Sequence, residues 1–275
     1  MYRYKKTIAR RSDGQAMRIP GTVLAFAFVA VIFAVGYYVG NMNGTITIYQ
    51  NDTRSVKIID YNSYSPINPS YSNMSYSSIV IPAVDEEGNG LTTLLAVQVL
   101  PGEGRILTNI DRLLFWTDTQ NSIRTSSKVA SNITGMNISS YDIIYTILTN
   151  ATSVEGPSAG AALTVATIAA FEKKPLNPKV MITGSVNHDG TIGPVGQILP
   201  KAKAAKEAGA ELLLVPLLNS QEVIYETRKY CEQIGISQIC TTEKIPKKVN
   251  ISDEAGIKVV EVQSIEEALR YFLTG

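Results

Sequence analysis

The stretch that decides the fold reads Val154-Glu155-Gly156-Pro157-Ser158-Ala159-Gly160-Ala161-Ala162 and continues as a small, apolar segment to Lys173. Glycine and proline place one serine at a turn, just before a helix predicted over 159–173. The first turn of a helix has unpaired N–H groups and a partial positive charge. A serine nucleophile here would therefore have donors close to a developing oxyanion. The same pattern also fits a serine that only caps the helix.

A second informative stretch covers residues 190–209 and reads GTIGPVGQILPKAKAAKEAG. Pro200 near the first turn and Gly209 as a stop predict a helix over 200–208. Its lysines and glutamate are typical of a solvated helix face. Lys201 differs by position, because the positive end of the helix dipole and any burial would lower the pKa of its amine. A neutral amine can accept the proton of a serine hydroxyl.

With these two stretches, the segment from Ser78 to the C-terminus resembles the proteolytic domain of Lon proteases, the S16-type Ser-Lys peptidases. Residues 155–160 resemble the nucleophile motif, residues 182–186 the Thr-Gly strand, and residues 190–209 the second motif. An ungapped alignment from Ser158 places the family's catalytic lysine on Lys201, and not on the later lysines of that helix. The resemblance implies a serine endopeptidase that forms an acyl-enzyme, with Ser158 as nucleophile and Lys201 as general base.

The resemblance also implies the surroundings of this pair. Thr183 is expected to be a supporting hydroxyl near the lysine, and Glu155 an acid that shapes the active-site loop. The oxyanion loop is expected to comprise Gly156, Pro157, Ala159 and Gly160. The implied substrates are unfolded proteins or peptides, and the implied assembly is a hexamer. No cofactor and no metal are expected.

The rest of the pattern predicts an α/β (α+β) domain with a mixed sheet, which agrees with the fold that the resemblance implies. Apolar, β-branched runs divided by a turn predict a hairpin at 78–84 and 92–100. Further strands are predicted at 105–108, 141–148, 180–185, 191–195, 212–215 and 257–262. A helix is predicted over 121–133, Gln221 to Ile234 is an amphipathic segment, and a capping box at Ser264 opens the last helix.

The chain departs from the family pattern in three places. Its 275 residues contain no G-x-x-x-x-G-K-[ST] run, so no ATPase module is expected in cis. The run Gln197-Ile198-Leu199-Pro200 replaces the usual Gly-Gly stretch before the lysine helix. The segment from Cys231 to Ser252 is longer than the family pattern.

The first 77 residues predict a membrane anchor and a spacer. Residues 1–19 are a basic tail expected in the cytoplasm, and residues 20–40 form an uncharged apolar run of the length that spans a lipid bilayer. Residues 41–77 are an Asn-, Ser- and Tyr-rich spacer before the Lon-like domain at 78–275. The basic residues precede the span, so we expect a single-pass protein of the cell membrane with its catalytic domain outside.

Asn-x-Ser/Thr sequons agree with an external domain, because they are acceptors only on that side of a membrane. All of them follow the apolar run, at Asn43, Asn51, Asn73, Asn132, Asn137, Asn150 and Asn250. A cleaved signal peptide is the rival interpretation of the apolar run, but the residues at its end match a cleavage site poorly.

Charge and cysteine content exclude other classes. A net charge of +1 argues against a dedicated nucleic-acid binder. The two cysteines, Cys231 and Cys240, cannot form a zinc site with the single His188. They are expected to form a disulfide in an oxidising compartment, and two separate buried thiols are the alternative.

Three alternative functions remain open at this stage. His188 and Asp189 could complete a Ser-His-Asp triad, but a surface turn is the preferred interpretation of Asn187–Gly190. A small-molecule kinase of the GHMP type shares a Gly, Ser and Ala loop at a helix start, but gives no reason for the position of Lys201. A catalytically silent, anchored Lon-like binding domain is the third, and the presence of both Ser158 and Lys201 argues against it.

Overall fold

The computed structural model describes residues 74–109, 117–149, 156–234 and 237–273. The predicted tail at 1–19, the predicted anchor at 20–40, nearly all of the spacer and Glu155 lie outside these ranges. Within the described ranges, no helix is long and apolar enough to cross a bilayer.

A four-stranded sheet is built from β1 (Ser75–Val84), β2 (Gly90–Pro101), β3 (Ile106–Asn109) and β4 (Tyr141–Leu148). Its order is β1-β2-β4-β3, with β3 parallel to β4 and the other neighbours antiparallel. The predicted hairpin is therefore present and longer than expected. In its turn, the Asp85 carboxylate accepts the N–H groups of Glu87 and Asn89.

A second sheet has the order β11-β8-β5 and is parallel throughout, from β5 (Val180–Ile182), β8 (Leu212–Pro216) and β11 (Lys258–Val262). The predicted strand over 180–185 is interrupted at Thr183 and Gly184, and the chain continues as β6 (Ser185–Val186), which pairs with β7 (Ile192–Gly193). The two sheets together confirm the mixed α/β fold class.

The helix α1 (Thr117–Thr134) packs against α2 (Gly160–Glu172), and α2 lies against β1 and β2 of the four-stranded sheet. Every residue of α2 from Gly160 to Phe171 is buried. Its alanines and glycine allow neighbouring elements to pack closely against every side of the helix. Because no side of the helix faces solvent, it needs no polar face.

The helix α3 (Ile198–Glu207) carries the predicted base and packs against β1, β2 and the short helix α4 (Ile251–Ala255). Its apolar residues join a second core cluster with β5 and β8, through Ile198, Leu199, Ala202 and Ala205. The helix begins two residues earlier than predicted. The last helix, α5 (Ile265–Phe272), is capped as predicted, because the Ser264 hydroxyl accepts the Glu267 N–H at 3.3 Å.

The amphipathic segment at 221–234 is a strand, β9 (Gln221–Ile234), paired antiparallel with β10 (Ser237–Asn250). Near its base the half-buried side chains of Glu222, Ile224 and Glu226 alternate with exposed ones, so the amphipathic period is two residues. Farther out, both faces of the hairpin are exposed. Cys231 and Cys240 lie opposite each other and are joined by a disulfide.

Candidate active site

The serine lies at a tight turn before α2. Gly156 has φ 91° and ψ 163°, a backbone conformation that favours glycine, and Pro157–Ala159 form a 3-10 turn that leads into the helix. Ser158 is half-buried. Its carbonyl accepts the Gly184 N–H at 2.9 Å, so the turn is fastened to the end of β5.

The start of α2 is held from several directions. The Gly160 carbonyl accepts the hydroxyls of Ser126 at 3.0 Å and Thr164 at 2.8 Å. A Cβ on Gly160 would lie 2.9 Å from the Val186 nitrogen, so only glycine fits between α2 and β6. These contacts fix the position of the serine relative to both sheets.

The N–H groups of the turn differ in availability. Pro157 has none, the Gly160 N–H donates to Pro157 O, and the Ala161 N–H donates to Gly184 O. Within the described residues, no acceptor is recorded for the N–H of Ser158. A nucleophile's own N–H is well placed to meet the oxyanion that forms on the atom it attacks.

Lys201 lies in the first half of α3, and only 3% of its surface is exposed. Its Nζ donates to the Gly196 carbonyl at 3.2 Å. Burial lowers the pKa of this amine to about 8, and the nearby Glu222 carboxylate opposes that shift. Lys203 and Lys206 of the same helix are exposed, so only Lys201 faces inward.

One cavity of about 600 Å³ contains both candidate residues. The serine turn contributes Gly156, Pro157 and Ser158, and the opposite wall is residues 194–197 together with Lys201. Carboxylates at the rim come from Asp85, Glu86 and Asp118, none of which the sequence singled out. Ser158 and Lys201 are not hydrogen-bonded to each other in this structure; they share the cavity.

Thr183 is buried at the interrupted end of β5. Its N–H donates to Leu214 O at 3.1 Å, and its hydroxyl lies 3.5 Å from the Ser158 carbonyl oxygen. The structure therefore places this side chain beside the serine turn. Of the predicted loop residues, Gly156 and Pro157 line the cavity, whereas Ala159 and Gly160 do not.

Sequence reasoning missed Glu222 and Asn219, which hold the loop before α3. The Glu222 carboxylate accepts the N–H groups of Ile198 at 3.3 Å and Leu199 at 2.9 Å. The Asn219 side chain pairs with both backbone polar groups of Val195. Both residues lie 23 or 24 positions farther along the chain than the groups they bind, and no local spacing rule points to them.

His188 and Asp189 do not approach the cavity. Both are exposed in the turn between β6 and β7, and the Asp189 carboxylate accepts the N–H and hydroxyl of Thr191. These bonds lower the pKa of Asp189. The triad alternative therefore has no geometric basis. Within the described residues, no group of three or more His, Cys, Asp or Glu is arranged to hold a metal ion.

Comparison with known proteins identifies the type of domain that contains this cavity. Residues 117–252 match the Lon protease (S16) C-terminal proteolytic domain. The chain is 31% identical to an archaeal Lon protease of Methanothermobacter thermautotrophicus, over 67% of this chain and 29% of that protein. It is 32% identical to an archaeal Lon protease of Thermoplasma volcanium, over 58% of this chain and 25% of that protein.

A bacterial Lon protease is also similar to part of this chain. Lon protease 2 of Bacillus subtilis is 28% identical over 49% of this chain and 24% of its own length. The chain thus spans about a quarter of the length of the curated relatives that it matches. The matched region contains the serine turn, the buried lysine and most of the residues that line the cavity, and residues 117–252 are therefore identified as a proteolytic domain of the Lon (S16) type.

Proposed function

We propose that this chain is a serine endopeptidase in which Ser158 is the nucleophile and Lys201 the general base. The observation that carries the proposal is the shared cavity, into which a half-buried serine and a buried amine both open. Burial keeps a substantial fraction of the amine neutral near pH 8, and only the neutral form can accept a proton.

The reaction is acyl transfer in two halves. Neutral Lys201 releases its hydrogen bond to Gly196 O and accepts one from the Ser158 hydroxyl. The amine then takes the hydroxyl proton while Ser158 Oγ attacks the carbonyl carbon of the peptide bond. The Ser158 N–H stabilises the oxyanion. Lys201 returns the proton to the leaving amine as the C–N bond breaks. A water then gives a proton to Lys201 and attacks the acyl carbon. As the ester C–O bond breaks, Lys201 returns this proton to Ser158 Oγ, and the carboxylic acid is released.

The proposed substrates are unfolded proteins, loops and peptides, cut without ATP. The 275 residues contain no phosphate-binding G-x-x-x-x-G-K-[ST] run that could supply an unfolding motor in cis. The proposed assembly is a homo-oligomer, by resemblance to the family.

The proposed location is the outer face of the cell membrane, with residues 20–40 as an anchor. Support comes from the apolar run, the basic residues before it and the sequons after it. Two sequon asparagines have a second explanation, because Asn137 and Asn250 cap helical turns through their side-chain oxygens. A protease added to intact cells should digest residues 41–275; their complete protection would place the domain inside.

Hydrolysis of casein by the full chain in mild detergent tests the enzymatic proposal. Wild type should cut casein without ATP, and Ser158→Ala should lose the activity while keeping its circular dichroism spectrum. Ser139→Ala is a matched control at an exposed position away from the cavity. Cutting that persists in Ser158→Ala would contradict the assigned nucleophile. A folded wild type that binds casein but never cuts it would favour the silent binding domain.

A further inference from the structure

The residues at the start of β9 hold the loop that precedes α3, the helix that carries the proposed catalytic base. Asn219, just before β9, accepts the Val195 N–H at 3.2 Å and donates to Val195 O at 3.1 Å. Glu222, the second residue of β9, accepts the first N–H groups of α3. The wall of the cavity at 194–197 is thus anchored at both ends by one short segment of chain.

Helix α3 needs this help because it has no local cap. Gln197 occupies the N-cap position in the left-handed region, φ 57° and ψ 45°, and its side chain makes no capping bond. The orphan N–H groups of a first turn otherwise need water or another acceptor. A carboxylate from a distant strand fills that role here and complements the positive end of the helix dipole.

The position of the Lys201 amine depends on both anchors. Its stem belongs to α3, whose start Glu222 holds, and its acceptor is the carbonyl of Gly196, which lies between the two anchored segments. Resting on the function proposed above, we propose that Glu222 is a positioning residue for Lys201. Its carboxylate fixes the first turn of α3 and the charge environment of the amine in the cavity shared with Ser158.

The charge of Glu222 separates this role from a purely structural one. Among the groups acting on Lys201, burial lowers the pKa of the amine and the Glu222 carboxylate raises it. Other charged groups on the elements around the lysine are rim carboxylates and two acids on α4: Asp85, Glu86, Asp118, Asp253 and Glu254. Asp85 is held in its own turn, and Glu222 is the carboxylate that acts on the pKa of Lys201. Removing the Glu222 charge should therefore lower the pKa of Lys201 further, because burial then acts without an opposing charge.

The test measures the Lys201 amine directly, without relying on catalysis. The full chain carrying Ser158→Ala is treated with trace acetic anhydride from pH 6 to 11, and acetylation of Lys201 and Lys203 is quantified by mass spectrometry. Lys203 is exposed on the same helix and serves as the internal reference. Glu222→Gln keeps an acceptor for α3 but removes the charge. Glu226→Gln is the matched control, since Glu226 lies on the same face of β9 and pairs with Lys247.

The expected result is a lower labelling pKa for Lys201 in Glu222→Gln, with Lys203 unchanged and no shift in Glu226→Gln. An unchanged Lys201 titration, or an equal shift in Glu226→Gln, would overturn the inference. If Glu222→Gln does not fold, Glu222→Asp is used instead, because it moves the charge away by one methylene. It should also lower the labelling pKa of Lys201, and an unchanged titration would again overturn the inference. Failure of the enzymatic proposal would appear separately, as absent casein hydrolysis in wild type.

Activity gives the second readout. In otherwise wild-type chain, Glu222→Ala should lower kcat by ~10- to 100-fold with KM little changed, because the amine is displaced but the cavity remains. Glu222→Gln should retain more of kcat and move the acidic limb of its pH profile to lower pH. A loss of thermal stability with an unmoved pH profile would reduce Glu222 to a structural cap and overturn the proposal.

Discussion

Two lysines in different regions of this molecule behave in opposite ways. Lys201 is buried in α3 beside the cavity, and the pKa of its amine falls to about 8. Lys247 is exposed on β10, and its ion pair with Glu226 raises the pKa of its amine. Both have a glutamate of β9 nearby. The difference arises because desolvation outweighs the carboxylate at Lys201, whereas little is desolvated on the hairpin.

This contrast shows that burying Lys201 lowers the stability of the fold but makes its amine available as a base. A buried amine must either lose solvation as a cation or give up its proton when the chain folds. The exposed pair on the hairpin has no such cost and contributes little, as is usual for surface ion pairs. The region around α3 should therefore respond strongly to small changes, and the outer hairpin weakly.

A large effect is expected on the pH dependence of hydrolysis by the wild-type chain. Because only neutral Lys201 can act as base, kcat/KM should fall about tenfold per pH unit well below the pKa near 8, or ~50-fold from pH 8 to 6. An uncharged peptide substrate and circular dichroism at each pH exclude substrate ionisation and unfolding. A flat profile across this range would remove Lys201 from the role of base.

A smaller but definite effect is expected where β2 meets the lysine helix. A Cβ at Gly90 would lie 2.2 Å from the Pro200 carbonyl oxygen and 3.1 Å from Ala204 Cβ. Gly90→Ala should therefore lower the free energy of unfolding by about 1–3 kcal/mol, measured by urea titration, and reduce activity by shifting α3. Gly196→Ala is the stability control, since its Cβ would meet nothing within 4 Å. Equal stability of both variants would contradict this packing.

The smallest effect is expected at the outer hairpin. Replacing Cys231 and Cys240 together by serine should change kcat/KM by no more than about twofold. Both residues are exposed in the outer part of the hairpin, many residues away from Asn219 and Glu222, which hold the loop before α3. Val249→Ala, at the buried base of β10, should instead lower stability by about 1 kcal/mol or more. Loss of activity in the double serine variant would show that the outer hairpin takes part in substrate binding.

The serine turn was accessible from sequence because glycine and proline set the turn before Ser158. The choice of Lys201 over the other lysines of α3 came from the resemblance to Lon proteases, and its burial could not be derived from local sequence. Glu222 was not accessible, because its contact with α3 depends on how β9 leaves the parallel sheet. The period of 221–234 was also ambiguous, since Lys, Glu, Thr and Tyr give no clear preference until β10 pairs with it.

The most direct test of the account compares Lys201→Met with Lys203→Met in the full chain. Methionine keeps the packing of the lysine stem but removes the amine. The cost of burying the amine is fully present below pH 8 and disappears as pH rises toward 10.5, the ordinary lysine pKa. We therefore predict that Lys201→Met gains about 1–3 kcal/mol of stability at pH 7, a gain that shrinks above pH 8.

The same variant should lose about 10³-fold or more of kcat/KM on casein-derived peptides. Lys203→Met, exposed on the same helix, should change neither quantity. A folded Lys201→Met enzyme that still cleaves at a rate close to wild type would contradict the central claim that the buried amine is the base.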